Sequence, residues 1–379
     1  MKCVVSPFCA VLALFSTSIV LTSCSNSPKI DSDSATFDSD GTARITRIVP
    51  MPTTLSPEAQ KWLESLAKQK YATQTLAERR TSTDKWRAED SAEAKKLFPV
   101  KVEELMMGGV RTDVITPQNV AEANRGCVLI NLHGGGFNSD SGSLIEGIPI
   151  AYLAKMKVVS VYYRLAPESP FPAAVDDAVA VYKELLKDHR PQSIGIFGTS
   201  AGGILTAEVA VKLKQSALPL PAALGLFSIL ADFSKPGDSQ SLFTLNGLPG
   251  ILSPPVATDK IPPNEYAGST DLRDPVLSPV YADLHGWPPT LSVTSTRDLL
   301  LSDTALFHRS LLGAGNDAQL IVFEALPHAF WYHFNMPETR EALNLMAKFF
   351  DDKLEHERVA TGKKTVHPQK HAKHGRKHH

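Results

Sequence analysis

Gly198-Thr199-Ser200-Ala201-Gly202 has the spacing G-x-S-x-G. It lies between a short apolar run, Ile194–Phe197, and a helical run, Ile204–Lys214. A strand, a tight turn and a helix in that order expose a serine hydroxyl at the edge of a sheet, above a helix N-terminus where developing negative charge is favoured. Ser200 is therefore the candidate nucleophile. His133-Gly134-Gly135-Gly136-Phe137 directly follows another apolar run, Cys127–Leu132. Successive glycines let backbone N–H groups turn toward an oxyanion, beside the N–H of Ala201. A phosphate-binding loop is the rival reading, but no G-x-G-x-x-G or Walker spacing accompanies it. His133 reads as a brace for this loop and not as a base. In strand–helix hydrolases the nucleophile is followed by an acid and then a histidine. His328, after the run Leu320–Phe323, is the candidate base, with His333 further on. Asp298, after Leu291–Thr294, is the candidate acid; Asp303, Asp271 and Asp274 are its rivals.

Such groups must converge from distant parts of the chain, so the elements between them matter. Apolar runs recur at Cys127–Leu132, Val158–Tyr163, Ile194–Phe197, Leu224–Ile229, Leu291–Thr294 and Leu320–Phe323, with helical stretches such as Pro172–Leu186 and Ala201–Lys214 between them. Alternation of this kind predicts an α/β fold with a mostly parallel sheet covered on both faces. Ser56-Pro57-Glu58 starts a helix, and helical sequence continues with breaks to about Phe98. This stretch carries no catalytic signature and reads as a cap. Residues 233–268, dense in Pro and Gly, are too long for a plain connection and read as a second cap segment.

At 379 residues, 43% hydrophobic and 21% charged, the chain can bury one large catalytic core. The net charge of −1 combines a mildly acidic body with a basic tail, because Lys363–His379 holds six Lys or Arg and no acid. A nucleic-acid-binding surface is not expected. Lys2 followed by the apolar stretch Val4–Leu21 reads as an export signal. It ends in Leu21-Thr22-Ser23-Cys24, a lipobox-like sequence that makes Cys24 the candidate lipidation site and the cell envelope the expected location. The expected order is signal 1–23, tether 24–50, cap helices 51–100, catalytic domain 101–358 and His-rich tail 359–379. The tail, with five His, reads as a solvated extension, with metal or anionic-surface binding as the alternative. Cys127 reads as a buried small hydrophobe. No metal or other cofactor is expected, since nucleophile, base and oxyanion donors supply the chemistry.

Six blocks resemble the bacterial hormone-sensitive-lipase family (family IV) of esterases, over roughly Val102–Leu354. They are HGGGF at His133, YRLAPE at Tyr163, FPAAVDDA at Phe171, GTSAGG at Gly198, DPVLSP at Asp274 and PHAF at Pro327. The resemblance implies an α/β-hydrolase fold with an eight-stranded sheet flanked by helices and a helical cap. It implies Ser200, Asp298 and His328 as catalytic triad, and Gly135, Gly136 and Ala201 as oxyanion donors. The implied substrates are esters of short to medium acyl chains, with deacetylation or peptide cleavage on the same triad, or an inert binding lipoprotein, as alternatives. Thr199 stands where many members carry Asp, Ala329 where Gly is common, and Leu299 where Pro usually follows the acid. The Tyr-Pro that often ends the strand near Leu230 is missing. Arg164, Glu168, Asp176 and Asp177 belong to the family blocks and are expected to form buried ion pairs and caps.

Overall fold

The computed structural model describes residues 33–252 and 265–356. The expected signal, Cys24, part of the second cap segment and the basic tail lie outside the described residues. Two compact units divide the chain at Met51. In the first, β1 (Ser34–Phe37) and β2 (Ala43–Thr46) pair antiparallel across a turn at Asp38–Gly41. The stretch expected as a tether thus contains a hairpin. Its residues are all exposed, and ion pairs Arg44–Asp38 and Arg47–Asp33 line it, so it holds order without burying a core.

The second unit opens with two helices in the stretch expected to be helical. Ser56 caps α1 (Pro57–Lys68), which buries Ala59, Leu63 and Leu66. Thr75 and Glu78 form a reciprocal capping box at the start of α2 (Leu76–Leu97). Next come β3 (Val100–Met107), β4 (Val110–Pro117), β5 (Val128–Leu132), α3 (Ser143–Ala154), β6 (Lys157–Val161) and α4 (Ala173–Leu185). The chain continues through β7 (Ile194–Thr199), α5 (Ala201–Gln215), β8 (Ala223–Phe227) and α6 (Asp238–Leu242). It ends with β9 (Thr290–Ser295), α7 (Leu301–Gly313), β10 (Ala318–Phe323) and α8 (Pro337–Lys353).

Strands β3 to β10 form one eight-stranded sheet in the order β10-β9-β8-β7-β5-β6-β4-β3. From β10 to β6 every neighbouring pair is parallel, whereas β4 runs antiparallel to both β6 and β3. Alternate residues of each strand feed two separate cores. Val128, Ile130 and Leu132 of β5 join α4, α5 and α7 on one face. Cys127 and Leu129 join α1, α3 and α8 on the other. The six apolar runs of the sequence are strands β5 to β10, shifted by a few residues at their ends. β3 had no such run because it is an exposed edge strand carrying Lys101, Glu103 and Glu104. α3 shows no amphipathic period because nearly all its faces are buried, with Pro149 inside it.

Candidate active site

Ser200 stands between the end of β7 and the first turn of α5, at φ 59° and ψ −124°. A non-glycine residue there carries strain of about 1–3 kcal/mol, held by its surroundings. Its N–H donates to Phe227 O at 2.8 Å, and its carbonyl accepts from Ile204 N at 2.9 Å. The following helix must pass close against β5. A Cβ on Gly202 would lie 1.7 Å from Leu132 O, so the second glycine of the motif is a packing requirement.

His328 lies in the loop after β10, and its Nδ1 is 2.9 Å from Asp298 Oδ1, with both side chains buried. Three further donors fix the carboxylate. Thr294 Oγ1 donates to Oδ2 at 3.0 Å, Leu300 N donates to Oδ1 at 2.9 Å, and Ser228 Oγ makes a short bond to Oδ2. Burial by itself would raise the Asp298 carboxyl, but His328, Ser228 and the Leu300 N–H together hold it below its ordinary value. The rival acids are engaged elsewhere. Asp303, pushed up to about 6 by burial, accepts from Gln240 Nε2. Asp274 accepts from Val276 N, and Asp271 from Arg273 N. His333 packs its ring 4.2 Å from that of Trp62, and burial pushes it down to about 4.

The glycine loop meets Ser200 and His328 around a cavity of about 140 Å³, lined also by Arg79 and Leu245. Gly135 has φ +115°, and a Cβ there would stand 2.0 Å from Ser139 O. Its carbonyl is tied back by Ser139 N at 3.2 Å and Ser139 Oγ at 3.0 Å. Among the described residues, the N–H groups of Gly135, Gly136 and Ala201 have no protein acceptor. That is the state of a preformed anion site. His133 is buried, bonds Gly134 O through Nδ1 at 2.8 Å and stacks on Tyr163 at 4.1 Å. The cap helix α2 also holds the loop: Arg80 donates to Asn138 O at 2.7 Å and pairs with Glu168, and Arg87 pairs with Asp140. Glu168 and Arg164 form the expected ion pairs, but on the surface: their side chains are 61% and 56% exposed.

Glu146 of α3, fully buried, had no signal in the sequence. It accepts a short bond from Thr199 Oγ1 and a 2.9 Å bond from Asn131 Nδ2, while Trp331 Nε1 donates to Thr199 at 3.0 Å. Thr199, the residue before Ser200, is thereby clamped from two sides. Burial pushes the Glu146 carboxyl up to about 7, against the bonds from Thr199 and Asn131. Its ordinary value is 4.5, so between there and about 7 the fold holds a proton that the unfolded chain has released. Stability falls as pH rises through that window. Glu146→Gln removes this loss, and from pH 4 to pH 8 its stability relative to wild type should improve by about 3 kcal/mol. Urea unfolding at both pH values checks this; parallel behaviour of the two proteins would refute it.

Residues 129–332 match the family model described as alpha/beta hydrolase fold. An acetyl-hydrolase of Streptomyces hygroscopicus is 34% identical over 62% of this chain and 77% of its own length. An esterase of Acinetobacter venetianus is 30% identical over 67% of this chain and 84% of its own. A crystal structure of an esterase superposes with a TM-score of 0.69 at 33% identity, covering 82% of this chain and 98% of the other. An esterase structure from the bacterial hormone-sensitive-lipase family, 30% identical, gives 0.63 over 79% and 98%. With that fold, this sheet and these relatives, the chain belongs to the α/β-hydrolase family and is a carboxylic ester hydrolase homologous to the hormone-sensitive-lipase esterases.

Proposed function

We propose that the chain cleaves esters of short to medium acyl chains through Ser200, His328 and Asp298, from a lipid-anchored position in the cell envelope. The observation that carries the residue roles is the buried 2.9 Å His328–Asp298 pair opening on the cavity that Ser200 lines. His328 takes the Ser200 proton as Oγ bonds to the ester carbonyl carbon. Asp298 keeps the proton on Nδ1, so Nε2 is the free base, and stabilises the imidazolium. The N–H groups of Gly135, Gly136 and Ala201 hold the oxyanion; losing one such donor raises the barrier by about 3 kcal/mol. The alcohol leaves with the proton from His328, and water, deprotonated in turn by His328, releases the acid.

The cavity of about 140 Å³ supports a small acyl group, because an apolar cavity of roughly 150 Å³ holds a single benzene ring. The name of the Streptomyces relative, acetyl-hydrolase, points the same way. The anchor reading rests on the sequence around Leu21–Cys24. Among the described residues no helix is long and apolar enough to cross a membrane, so in this reading the lipid makes the attachment. One experiment tests both parts. A fluorophosphonate probe applied to fractionated cells should label the protein in the membrane fraction, on the peptide that contains Ser200. Cys24→Ala should move the labelled protein out of that fraction. Label on another residue would overturn the first part, and an unchanged distribution the second.

A further inference from the structure

Helix α2 places three arginines near the glycine loop, and two of them are neutralised. Arg80 is paired in parallel with both oxygens of Glu168 at 2.7 Å, and Arg87 bonds Asp140 and Asp84. Arg79 differs. Among the described residues its guanidinium forms no ion pair, and its one hydrogen bond is long, 3.4 Å from Nη2 to Gly135 O. Glu265 attracts it only from a distance. Yet the residue is half-buried, and it lines the cavity beside Ser200 and His328. Nη2 lies 3.3 Å from the point where a Cβ of Gly136 would be, and Arg79 lines the same cavity as Ser200 and His328. A guanidinium stays charged at any working pH and offers five donors in a planar fork. Left unmatched in a half-buried site, such a fork favours whatever planar anion can enter.

We propose that Arg79 is a substrate-recognition residue, and that the site takes esters bearing a carboxylate a few atoms from the scissile bond. The proposal rests on the Ser200 reading above. The bound carboxylate would accept two parallel bonds from the Arg79 fork while the ester carbonyl faces Ser200. Arg79 forms part of the wall of a cavity of only about 140 Å³, which makes a short, charged acyl or alcohol part the better fit.

Three esters test it: phenyl butyrate, monophenyl succinate, whose carboxylate stands where butyrate has its methyl, and 4-carboxyphenyl butyrate. Wild type should favour one of the two anionic esters over phenyl butyrate by about tenfold or more in kcat/KM, and 0.5 M NaCl should narrow the gap. In Arg79→Gln that ratio should fall about tenfold, mainly through KM, with Arg79→Lys in between. A wild-type protein that favours neither anionic ester overturns the proposal without need of any variant. So does an Arg79→Gln protein that loses activity equally on charged and neutral esters, which is the behaviour of a loop brace. Phenyl butyrate turnover that disappears in Ser200→Ala establishes the ester site independently, so a flat ratio would remove Arg79's role and leave the nucleophile standing.

Discussion

Ser200→Ala is expected to lower kcat for a short aryl ester by about 10⁵-fold, with KM little changed. Ser141, Thr199 and Tyr332 also line the cavity, but Ser200 sits at the strand–helix turn and Thr199 is held by Glu146 and Trp331, so none of them is expected to replace its hydroxyl. The fold should survive, since alanine fills the same space and the turn is fixed by backbone bonds from Ser200 N to Phe227 O and from Ile204 N to Ser200 O. A residual acceleration of about 10³ over water should persist, supplied by the oxyanion donors and substrate positioning. Stopped assays at high enzyme concentration, beside circular dichroism of the same sample, measure both. A variant as fast as wild type would mean that the serine is not the nucleophile.

Asp298→Asn should cost about 10⁴-fold in kcat at neutral pH, again with little effect on KM. The reason lies in what surrounds the side chain. Ser228 Oγ, Thr294 Oγ1 and Leu300 N all donate to the carboxylate. Ser228 and Thr294 both donate to Oδ2, so the amide oxygen of Asn is held there and its NH₂ takes the place of Oδ1 toward His328, at the cost of the Leu300 N bond. An N–H donor facing Nδ1 forces the imidazole proton onto Nε2, the atom that must be free to accept the proton of Ser200. Asp303→Asn is the control. That carboxyl is occupied by Gln240, so its loss should touch stability far more than kcat. The reverse ranking of the two variants would transfer the role of the acid to Asp303.

The parts of the site that sequence reveals are those whose geometry is local. A strand, five residues and a helix suffice to define the turn at Ser200, and HGGGF directly follows its strand. Asp298 and His328 are legible one step further out, as residues just past the ends of β9 and β10, which turn out to be parallel neighbours. The supporting residues are silent in the sequence because only tertiary folding brings them in. Ser228 reaches Asp298 across 70 positions, and Glu146 reaches Thr199 across 53. Arg79 meets Gly135 across 56. The same limit applies to the fold. Strands β5 to β9 announce themselves as apolar runs because they are buried on both faces, and the edge strand β10 does so through Leu320–Phe323, although it is only half-buried. The edge strand β3 is mostly exposed, and α3 is wrapped on all sides, so neither shows the periodicity that would reveal it. The hairpin at Ser34–Thr46 was hidden by its Ser- and Asp-rich composition, since its order comes from a turn and surface ion pairs.

The bonds from α2 to the glycine loop bear on how much of this protein an engineer could remove. A chain beginning at β3 would keep the serine, the histidine and the aspartate on an intact sheet. It would lose Arg80 from Asn138 O and Arg87 from Asp140. The loop would then keep its internal turns, the Tyr163 contacts to His133 and the Ala166 N bond to Phe137 O, but not the α2 bonds at its far end, and aim is what makes its N–H groups useful before the substrate arrives. The minimal working unit is therefore larger than the minimal triad. The first helices are scaffolding for the loop and part of the core beneath α3 and α8, so trimming them should weaken both the site and the fold.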